Sequence, residues 1–142
     1  MDKLQYKIYH ENKTHTPDDF PYNTYLCSIP LDFHSINLHW HDEVEIIVIK
    51  KGIGIVSVDL TTYSVSAGDI IFVLPGQLHS ISQKDNEIME YENILFKSSL
   101  LKSSGYDLCS DKFIQPLFSG SLNICPVINN QTPYYPPVIT AI

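Results

Sequence analysis

The sequence contains no arginine, and this absence limits what the chain can bind by itself. All nine of its basic residues are lysines, and its formal net charge is −7. Arginine is the side chain best suited to pairing two hydrogen bonds with guanine or phosphate, and nucleic-acid-binding domains are usually basic. On its own, the chain is therefore not expected to bind DNA or RNA.

Long apolar segments are also missing. A membrane-spanning helix needs about 20 consecutive apolar residues, but the longest candidate, 44–49, is interrupted by Glu45 and followed by Lys50 and Lys51. The first five residues lack the apolar core of a secretory signal peptide. We therefore expect a cytoplasmic protein that makes no contact with a membrane.

Cysteine is rare and unpaired in the sequence. The three cysteines, Cys27, Cys109 and Cys125, are widely spaced and form no CxxC pair. This pattern argues against a disulfide framework and against a thiolate metal site. We expect all three to be small buried apolar side chains.

The residues that are abundant predict an all-β domain. The chain has 142 residues, of which 44% are hydrophobic and 18% charged, which suits one globular domain. Eight short runs rich in β-branched and aromatic residues are predicted strands: 25–29, 36–41, 44–50, 54–60, 63–66, 70–74, 79–83 and 88–96. Turn signals separate them, including one at 51–52. Strands at this spacing indicate an antiparallel sandwich or barrel.

The two ends of the chain differ from this central region. Residues 1–23 are polar and contain Pro17 and Pro21, which is typical of an arm or loop. Helical elements are predicted at 98–103, at 110–118 with Ser110 as N-cap, and from Pro137 onward, with a last strand at 123–128. The final helix spans only about one turn, which is not stable alone. We therefore expect a fragment with three segments: an arm at 1–23, a barrel at 24–97 and an extension at 98–142.

The stretch HWHDEVE (39–45) carries the chemistry that stands out most. Residues two apart on a strand point to the same side, with Cα atoms about 6.6 Å apart. His39 and His41 therefore face one way and are close enough to converge on one ion. Trp40 must face the opposite way, where we expect it to pack under a covering helix or arm.

Two further residues are candidates for the same site. Glu45 follows a tight turn at 42–43, and a neighbouring antiparallel strand returns its side chain toward the two histidines. His79 lies some thirty residues later and closes the site if its strand packs beside the first pair. We predict that His39, His41, Glu45 and His79 form one cluster.

Three interpretations of this cluster stay open. It holds one divalent ion, since imidazole and carboxylate ligands suit zinc, nickel, manganese, iron or copper. Alternatively, it lines a pocket and hydrogen-bonds a ligand without metal. A purely structural role is also open, although converging buried polar groups are costly unless they are used. We expect His34 in a loop, and His10 and His15 solvated in the arm.

The spacing of these residues resembles the cupin superfamily. Its first motif, G-x5-HxH-x3-4-E-x6-G, matches from His39 to Gly52, without the leading glycine. Its second motif, G-x5-PxG-xx-H-xxx-N, matches Gly68 and His79. In this second motif the proline is displaced by one position, to Pro75, and Gln83 replaces the usual asparagine.

Three stretches are similar to one branch of that superfamily, the N-terminal sensor domains of AraC/XylS-type transcription regulators. They are HWHDEVEIIVIKKG (39–52), GDIIFVLPGQLH (68–79) and YENILF (91–96). The likeness covers 24–97 well and 98–142 more loosely. It implies a double-stranded β-helix (jelly-roll) barrel with short helical elements after it. In this branch, the helices after the barrel dimerise the protein, and two helix-turn-helix units then bind DNA.

This resemblance implies a sensor rather than an enzyme. A small molecule, such as a sugar, would bind beside the cluster, with one divalent ion (zinc, nickel, manganese or iron) as the implied cofactor. A homodimer would then control DNA binding through a domain absent from this chain. No nucleophile elbow or Ser-His-Asp arrangement is present, so we expect no catalytic residues.

Two other functions stay open beside this one. The first is a stand-alone metal-dependent cupin enzyme, such as a dioxygenase, isomerase or decarboxylase, and the second is a ligand-free dimerisation scaffold. Among the aromatic residues Tyr25, Phe33, Phe72 and Tyr91, most are expected in the core. One or two of them would stack on the effector.

Overall fold

Eight β-strands make up most of the ordered structure in the computed structural model, which describes residues 1–142, and they bear out the all-β prediction. The strands are β1 Tyr22–Ile29, β2 Ser35–His39, β3 Glu43–Val58, β4 Thr61–Ser66, β5 Ile70–Val73, β6 His79–Gln83, β7 Met89–Lys97 and β8 Val127–Ile128. The helices are α1 Lys3–Ile8, α2 Gln115–Phe118 and α3 Tyr135–Ala141. A 3-10 turn at Ser98–Leu101 and a π-helical turn at Ser110–Ile114 lie between β7 and α2.

The long strand β3 joins the two faces of a barrel. Its first half pairs with β7 and β5, and its second half pairs with β4 and β6. Strand β1 extends the first face beside β7, β8 extends it beside β5, and β2 extends the second face beside β6. Every pair is antiparallel, so the predicted antiparallel barrel is confirmed.

The turn predicted at 51–52 is wrong, because 44–50 and 54–60 do not form two strands. They belong to the single strand β3, whose pairing with β7 shifts between Ile49 and Lys51. Gly52 has a φ of +77°, and a Cβ atom there would lie 1.8 Å from the carbonyl oxygen of Ile88. The glycine therefore makes a bulge that bends one strand from the first face into the second.

The barrel interior is filled by alternate residues of the strands. Eleven buried side chains form one cluster: Ile29, Ile47, Ile49, Val56, Val58, Val65, Ile71, Val73, Ile81, Met89 and Tyr91. A second, smaller cluster of Val48, Ile70 and Ile128 lies on the outside of the first face. Tyr135 and Val138 of α3 pack against it, which explains why β3 and β5 are apolar on both sides.

The N-terminal arm contains a helix that we did not predict. The side chain of Asp2 accepts hydrogen bonds from the backbone N–H groups of Leu4 and Gln5, and the Gln5 side chain accepts one from the N–H of Asp2. This reciprocal pair is a capping box, which satisfies the free N–H groups at the start of α1. The segment before the barrel therefore begins with a helix, and it is shorter than the predicted 1–23 because β1 already starts at Tyr22.

Trp40 packs under this arm, as predicted from strand parity. Its ring stacks on Tyr6 of α1, with 4.7 Å between the ring centroids, and its Nε1 donates a hydrogen bond to the carbonyl of Tyr6 at 2.8 Å. The Tyr6 hydroxyl donates in turn to the carbonyl of Gly76. These contacts attach α1 to Trp40 and to the loop that contains Gly76.

The C-terminal extension departs from prediction at two points. The last strand is only Val127–Ile128, because just these residues pair with β5. Helical backbone begins before Ser110, and Asp107 accepts a hydrogen bond from the N–H of Cys109, so Ser110 is not the N-cap. The final helix starts near the predicted position, with Pro136 and Pro137 in its first turn.

The cysteines form no disulfide, as expected, but they are less buried than predicted. Cys27 is half-buried, whereas Cys109 and Cys125 are exposed because they lie in the extension outside the barrel core. None of the helices is long and apolar enough to cross a membrane.

Candidate functional site

The four cluster residues predicted from sequence come together in the structure. One potential ligand atom from each of His39, His41, Glu45 and His79 lies within 4.8 Å of the others. His41, Glu45 and His79 are at most 3% exposed, whereas His39 is half-buried. The cluster therefore lies inside the barrel, with one member closer to its surface.

Strand pairing places these residues, but not in the way we predicted. His39 is the last residue of β2 and pairs with His79, the first residue of β6. Glu45 lies in β3 on the other face, opposite Val73 and Leu95. The expected pairing of the His39 strand with the Glu45 strand is wrong, because the chain crosses between the two faces at 40–42. The cluster spans the interior between the faces.

Glu45 is the centre of the cluster. Its Oε2 atom accepts a hydrogen bond from Nε2 of His41 at 2.9 Å. Nε2 of His79 lies 3.0 Å from the same oxygen but lacks the alignment of a hydrogen bond. One carboxylate oxygen is therefore shared by two imidazoles.

Two of the histidines are oriented by backbone carbonyls. Nδ1 of His39 donates to the carbonyl of Asn37 at 2.8 Å, and Nδ1 of His79 donates to the carbonyl of Gln77 at 2.9 Å. A carbonyl oxygen only accepts, so both Nδ1 atoms carry the proton. In the neutral rings, the lone pair is then on Nε2. Histidines that bind metals are held in this way.

This arrangement fits a cation at the centre of the cluster. A neutral His79 with its proton on Nδ1 would place its unprotonated Nε2 only 3.0 Å from the negatively charged Glu45 oxygen. That contact is favourable only when a proton or a metal ion lies between the two atoms. Three imidazoles and one carboxylate are also a common donor set for transition-metal ions.

The cluster perturbs the pKa values of three of its members. Burial acts to raise the pKa of Glu45, but the contacts with His41 and His79 outweigh it and hold this pKa well below its ordinary value. Burial acts to lower the pKa of His41, but the hydrogen bond and charge of Glu45 raise it. Burial lowers the pKa of His39, and the charge of His79 adds to this effect. Without an ion, both shifts favour the charged forms of His41 and Glu45.

A cavity of about 200 Å³ adjoins the cluster. Its wall includes Tyr91 and Asn93 of β7, whose hydroxyl and carbonyl oxygens are buried and have no hydrogen-bond partner in the protein. Buried polar atoms without partners are costly, so these two atoms are suited to a polar ligand. The sequence leaves the role of Tyr91 open, and it does not single out Asn93. Strand parity was the available signal, because Tyr91 and Asn93 share one side of β7.

The N-terminal arm closes part of this cavity, which the sequence did not reveal. Glu11, Lys13 and His15 line it together with the cluster. Nε2 of His15 lies 2.7 Å from the Glu11 carboxylate, and that carboxylate lies 3.7 Å from Nε2 of His39. The arm therefore adds charged and polar groups to the mouth of the cavity.

The expectation that His15 is solvated is wrong. Its side chain is 10% exposed, and its ring centroid lies 5.5 Å from that of His41. His10 is exposed, as expected, although its ring packs 4.3 Å from Trp40. His34 lies exposed in the loop before β2. The contact of His15 depends on how the arm folds back, which local sequence does not specify.

The sequence matches a known protein family and a known regulator. The family model described as AraC-like ligand binding domain matches residues 25–127. An uncharacterized helix-turn-helix-type transcriptional regulator, YdeC of Bacillus subtilis (strain 168), is 31% identical over 78 residues. The match covers 54% of this chain and 27% of that protein, so the chain spans about a quarter of that relative's length.

Solved structures with low sequence identity share the fold. A cupin protein from Bacteroides fragilis has a TM-score of 0.52 at 21% identity, with 64% of this chain and 79% of that chain covered. The cupin domain of Cnp3 from Schizosaccharomyces pombe has a TM-score of 0.51 at 16% identity, with 57% and 59% covered. The barrel is therefore a cupin barrel, as the motifs predicted.

Proposed function

The chain belongs to the AraC-like ligand binding domains, and on that premise we propose that it is the effector-binding part of a transcription regulator. In this proposal a small polar molecule, such as a sugar, binds in the cavity beside the cluster. The protein acts as a homodimer and controls DNA through a helix-turn-helix domain outside this chain. The likeness to a helix-turn-helix-type regulator supports this context.

One observation carries the proposal more than any other: the cavity has buried polar atoms without partners on its wall. The Tyr91 hydroxyl can donate one hydrogen bond, and the Asn93 side chain offers an acceptor. The volume of about 200 Å³ lies below the usual range of about 300–1,000 Å³ for drug-sized ligands. A compact molecule with hydroxyl or carboxyl groups matches these walls.

The proposal includes one divalent ion, namely zinc, nickel, manganese or iron. His39, His41, Glu45 and His79 would hold it, and the unpartnered Nε2 of His79 supports this assignment. A bound ion supplies a positive charge that attracts an oxygen atom of the ligand. The surrounding side chains shape the cavity, exclude water and orient the ligand.

The three segments have separate roles in this proposal. The barrel at 24–97 binds the effector, and the arm at 1–23 covers it. The extension at 98–142 passes the change to the DNA-binding part through the dimerisation helices. The effector shifts a population of arm and helix arrangements, and this requires that it bind one arrangement more tightly than the other.

A thermal-shift screen tests the proposal. We expect a sugar or small hydroxy acid, presented with each divalent ion, to raise the melting temperature of the wild-type protein, because a ligand bound only by the native state stabilises it. Tyr91→Phe and Asn93→Ala should reduce that shift. Tyr106→Phe is the matched control, because Tyr106 is 83% exposed. A panel without any stabilising compound would contradict the proposal.

A metal-dependent cupin enzyme is the second candidate function, and the cluster itself favours it. An ion held by His39, His41, Glu45 and His79 would face the cavity, where a substrate can reach it. The two functions differ in what happens to the bound molecule. A sensor returns its effector unchanged after long incubation with the ion-loaded protein, whereas an enzyme converts it, and mass spectrometry distinguishes the two.

A further inference from the structure

The three histidines of the cluster differ in what their outer nitrogen atoms face. Nδ1 of His39 and Nδ1 of His79 each donate to a backbone carbonyl. Nδ1 of His41 is buried and has no hydrogen-bond partner. The nearest charged group is the carboxylate of Glu43, whose Oε2 atom lies 3.6 Å away.

Glu43 is itself buried, with 7% of its surface exposed, and one arm residue holds it in place. The hydroxyl of Thr16, which is completely buried, donates a hydrogen bond to Oε1 of Glu43 at 3.1 Å. A buried carboxylate is costly unless it is paired. The second oxygen of Glu43 faces His41, whose Nδ1 lacks any other partner.

We propose that Glu43 is the positioning residue for His41 in the ion site and that Thr16 fixes Glu43 for this purpose. This inference rests on the proposed ion site of the four-residue cluster. The Glu43 carboxylate accepts the Nδ1 proton of His41 and so leaves Nε2 free for the ion. A shift of the ring by a few tenths of an ångström brings the 3.6 Å separation into hydrogen-bond range.

With Glu43 in this role, all three imidazoles are oriented in the same way. Each has an acceptor on its Nδ1 side, either a carbonyl or a carboxylate, and each directs Nε2 toward the centre of the cluster. A carboxylate in this position makes the imidazole a stronger donor than a carbonyl does. His41 is therefore the most strongly supported of the three ligands.

Thr16 makes ion affinity depend on the arm. It lies in the segment 1–23, whereas Glu43 and His41 belong to the barrel. When the arm is docked, Thr16 holds Glu43 against His41. Because binding free energies are reciprocal, an ion that binds better with the arm docked must also favour the docked arm.

Zinc affinity of the purified chain tests this inference. Zn²⁺ is a suitable probe because imidazole-rich sites bind it tightly, and competition with a chromophoric chelator gives its Kd. Glu43→Met removes the acceptor at similar length, and we expect its zinc affinity to fall about 10- to 100-fold, the usual effect of losing such a partner. Glu43→Gln keeps an acceptor oxygen and should restore most of the affinity.

Variants of Thr16 keep the test decisive if Glu43→Met folds poorly. Thr16→Val has the same shape without the hydroxyl and should weaken zinc binding, whereas Thr16→Ser should resemble the wild type. The matched controls are Glu90→Met, in a partly exposed ion pair with Lys51, and Thr62→Val, at an exposed position. Both controls should leave the zinc Kd unchanged.

Nitrogen-15 NMR of the imidazole rings separates positioning from simple stabilisation. In the zinc-loaded wild type, His41 should show a protonated Nδ1 and a coordinated Nε2, and Glu43→Met should alter the Nδ1 signal. Unchanged zinc affinity and an unchanged His41 signal in Glu43→Met and Thr16→Val would overturn the inference while the ion site stands. A wild-type protein that takes up no zinc would overturn the ion site, and the inference with it.

Discussion

The cavity is bounded by two regions that are held in place in different ways. On the barrel side, His39 and His79 face each other in the pairing of β2 with β6, and Glu45 lies in β3 between β5 and β7. On the arm side, the main-chain contacts are a bridge between His10 and Trp40 and a hydrogen bond of 3.0 Å from the N–H of Lys97 to the carbonyl of Pro21. The two hydrogen bonds of the bridge run from the N–H of Glu11 to the Trp40 carbonyl and from the N–H of Trp40 to the Tyr9 carbonyl, both at 2.9 Å.

This difference indicates that the barrel side and the arm side differ in rigidity. A group fixed by paired strands on both sides moves only when the sheet opens, whereas a segment with few contacts can detach at low free-energy cost. The barrel side therefore sets the geometry for an ion or ligand. The arm side contributes Glu11, Lys13 and His15 without strand pairing on both sides, so in the proposed function it is the part whose position a ligand would change.

The largest expected effect comes from removing the centre of the barrel side. Glu45→Ala leaves His41 and His79 buried without their carboxylate, and breaking a buried ion pair in this way costs about 3–5 kcal/mol. We expect the free energy of unfolding, measured with urea, to fall by about that amount. Glu90→Ala, which removes a surface ion pair with Lys51, should cost no more than about 1 kcal/mol. Equal losses in the two variants would show that the cluster is not a central element of the barrel.

The second prediction concerns the attachment of the arm. Trp40→Ala removes the stack on Tyr6 and the Nε1 hydrogen bond, together worth about 1–3 kcal/mol. The barrel should stay folded, and limited proteolysis should cut within 1–21 much faster than in the wild type. Trp40→Phe keeps an aromatic ring and should show a smaller change. If Trp40→Ala unfolds the whole chain instead, the arm and the barrel are one cooperative unit.

The same two regions differ in how far sequence alone predicted them. The cluster was predictable from the spacing of His39, His41 and Glu45, although the strand that we expected at 36–41 ends at His39. The pairing partner was not predictable. A β2–β3 hairpin satisfies the same pattern as the crossing between faces that the structure contains. The sequence does not distinguish the bulge at Gly52 from a turn, because a glycine with positive φ is suited to both.

The arm was harder to predict, because its contacts are distant in sequence. His15 and Thr16 contact His41 and Glu43 more than twenty residues away, and no local pattern encodes that contact. Helix α1 is a different case. The Asp2–Gln5 capping box is visible in the sequence, but the helix is short and its polar surroundings concealed the signal.

The third prediction concerns how the free energy of unfolding depends on pH through His41 and Glu45. His41 has a raised pKa, so its charged form stabilises the fold below its unfolded value of about 6.5, and this contribution is lost as the pH rises through the folded value. Glu45 has a lowered pKa, so its contribution is present above about 4.5 and is lost as the pH falls through the folded value. We expect the ion-free protein to be most stable between pH values of about 4.5 and about 6.5, where both contributions are present.

Zinc binding should follow the opposite trend on the alkaline side. The Nε2 proton of His41 must leave before that atom binds an ion, so zinc affinity should rise with pH while the stability of the ion-free protein falls. Urea denaturation and zinc competition at matched pH values measure the two trends. His41→Gln is the control, and it should remove the alkaline loss of stability. Parallel trends in the wild type would contradict the ion pair between His41 and Glu45.

The smallest expected effect comes from a contact between the arm and the barrel, the cation–π contact of Lys13 with Tyr25. Lys13 lies over the ring of Tyr25, with its Nζ atom 4.8 Å from the ring centroid, and a cation–π contact near the surface is worth about 0.5–1 kcal/mol. A double-mutant cycle with Lys13→Met and Tyr25→Leu should give a coupling energy of about this size. A larger coupling would mean that the arm is held to the barrel more firmly than its few main-chain hydrogen bonds indicate. A coupling energy in this small range supports an arm whose docked position a ligand of modest affinity can control. To shift the population of docked arms, a ligand must bind one arrangement more tightly than the other. The required difference in binding free energy is comparable to the free energy of the contacts that are made or broken.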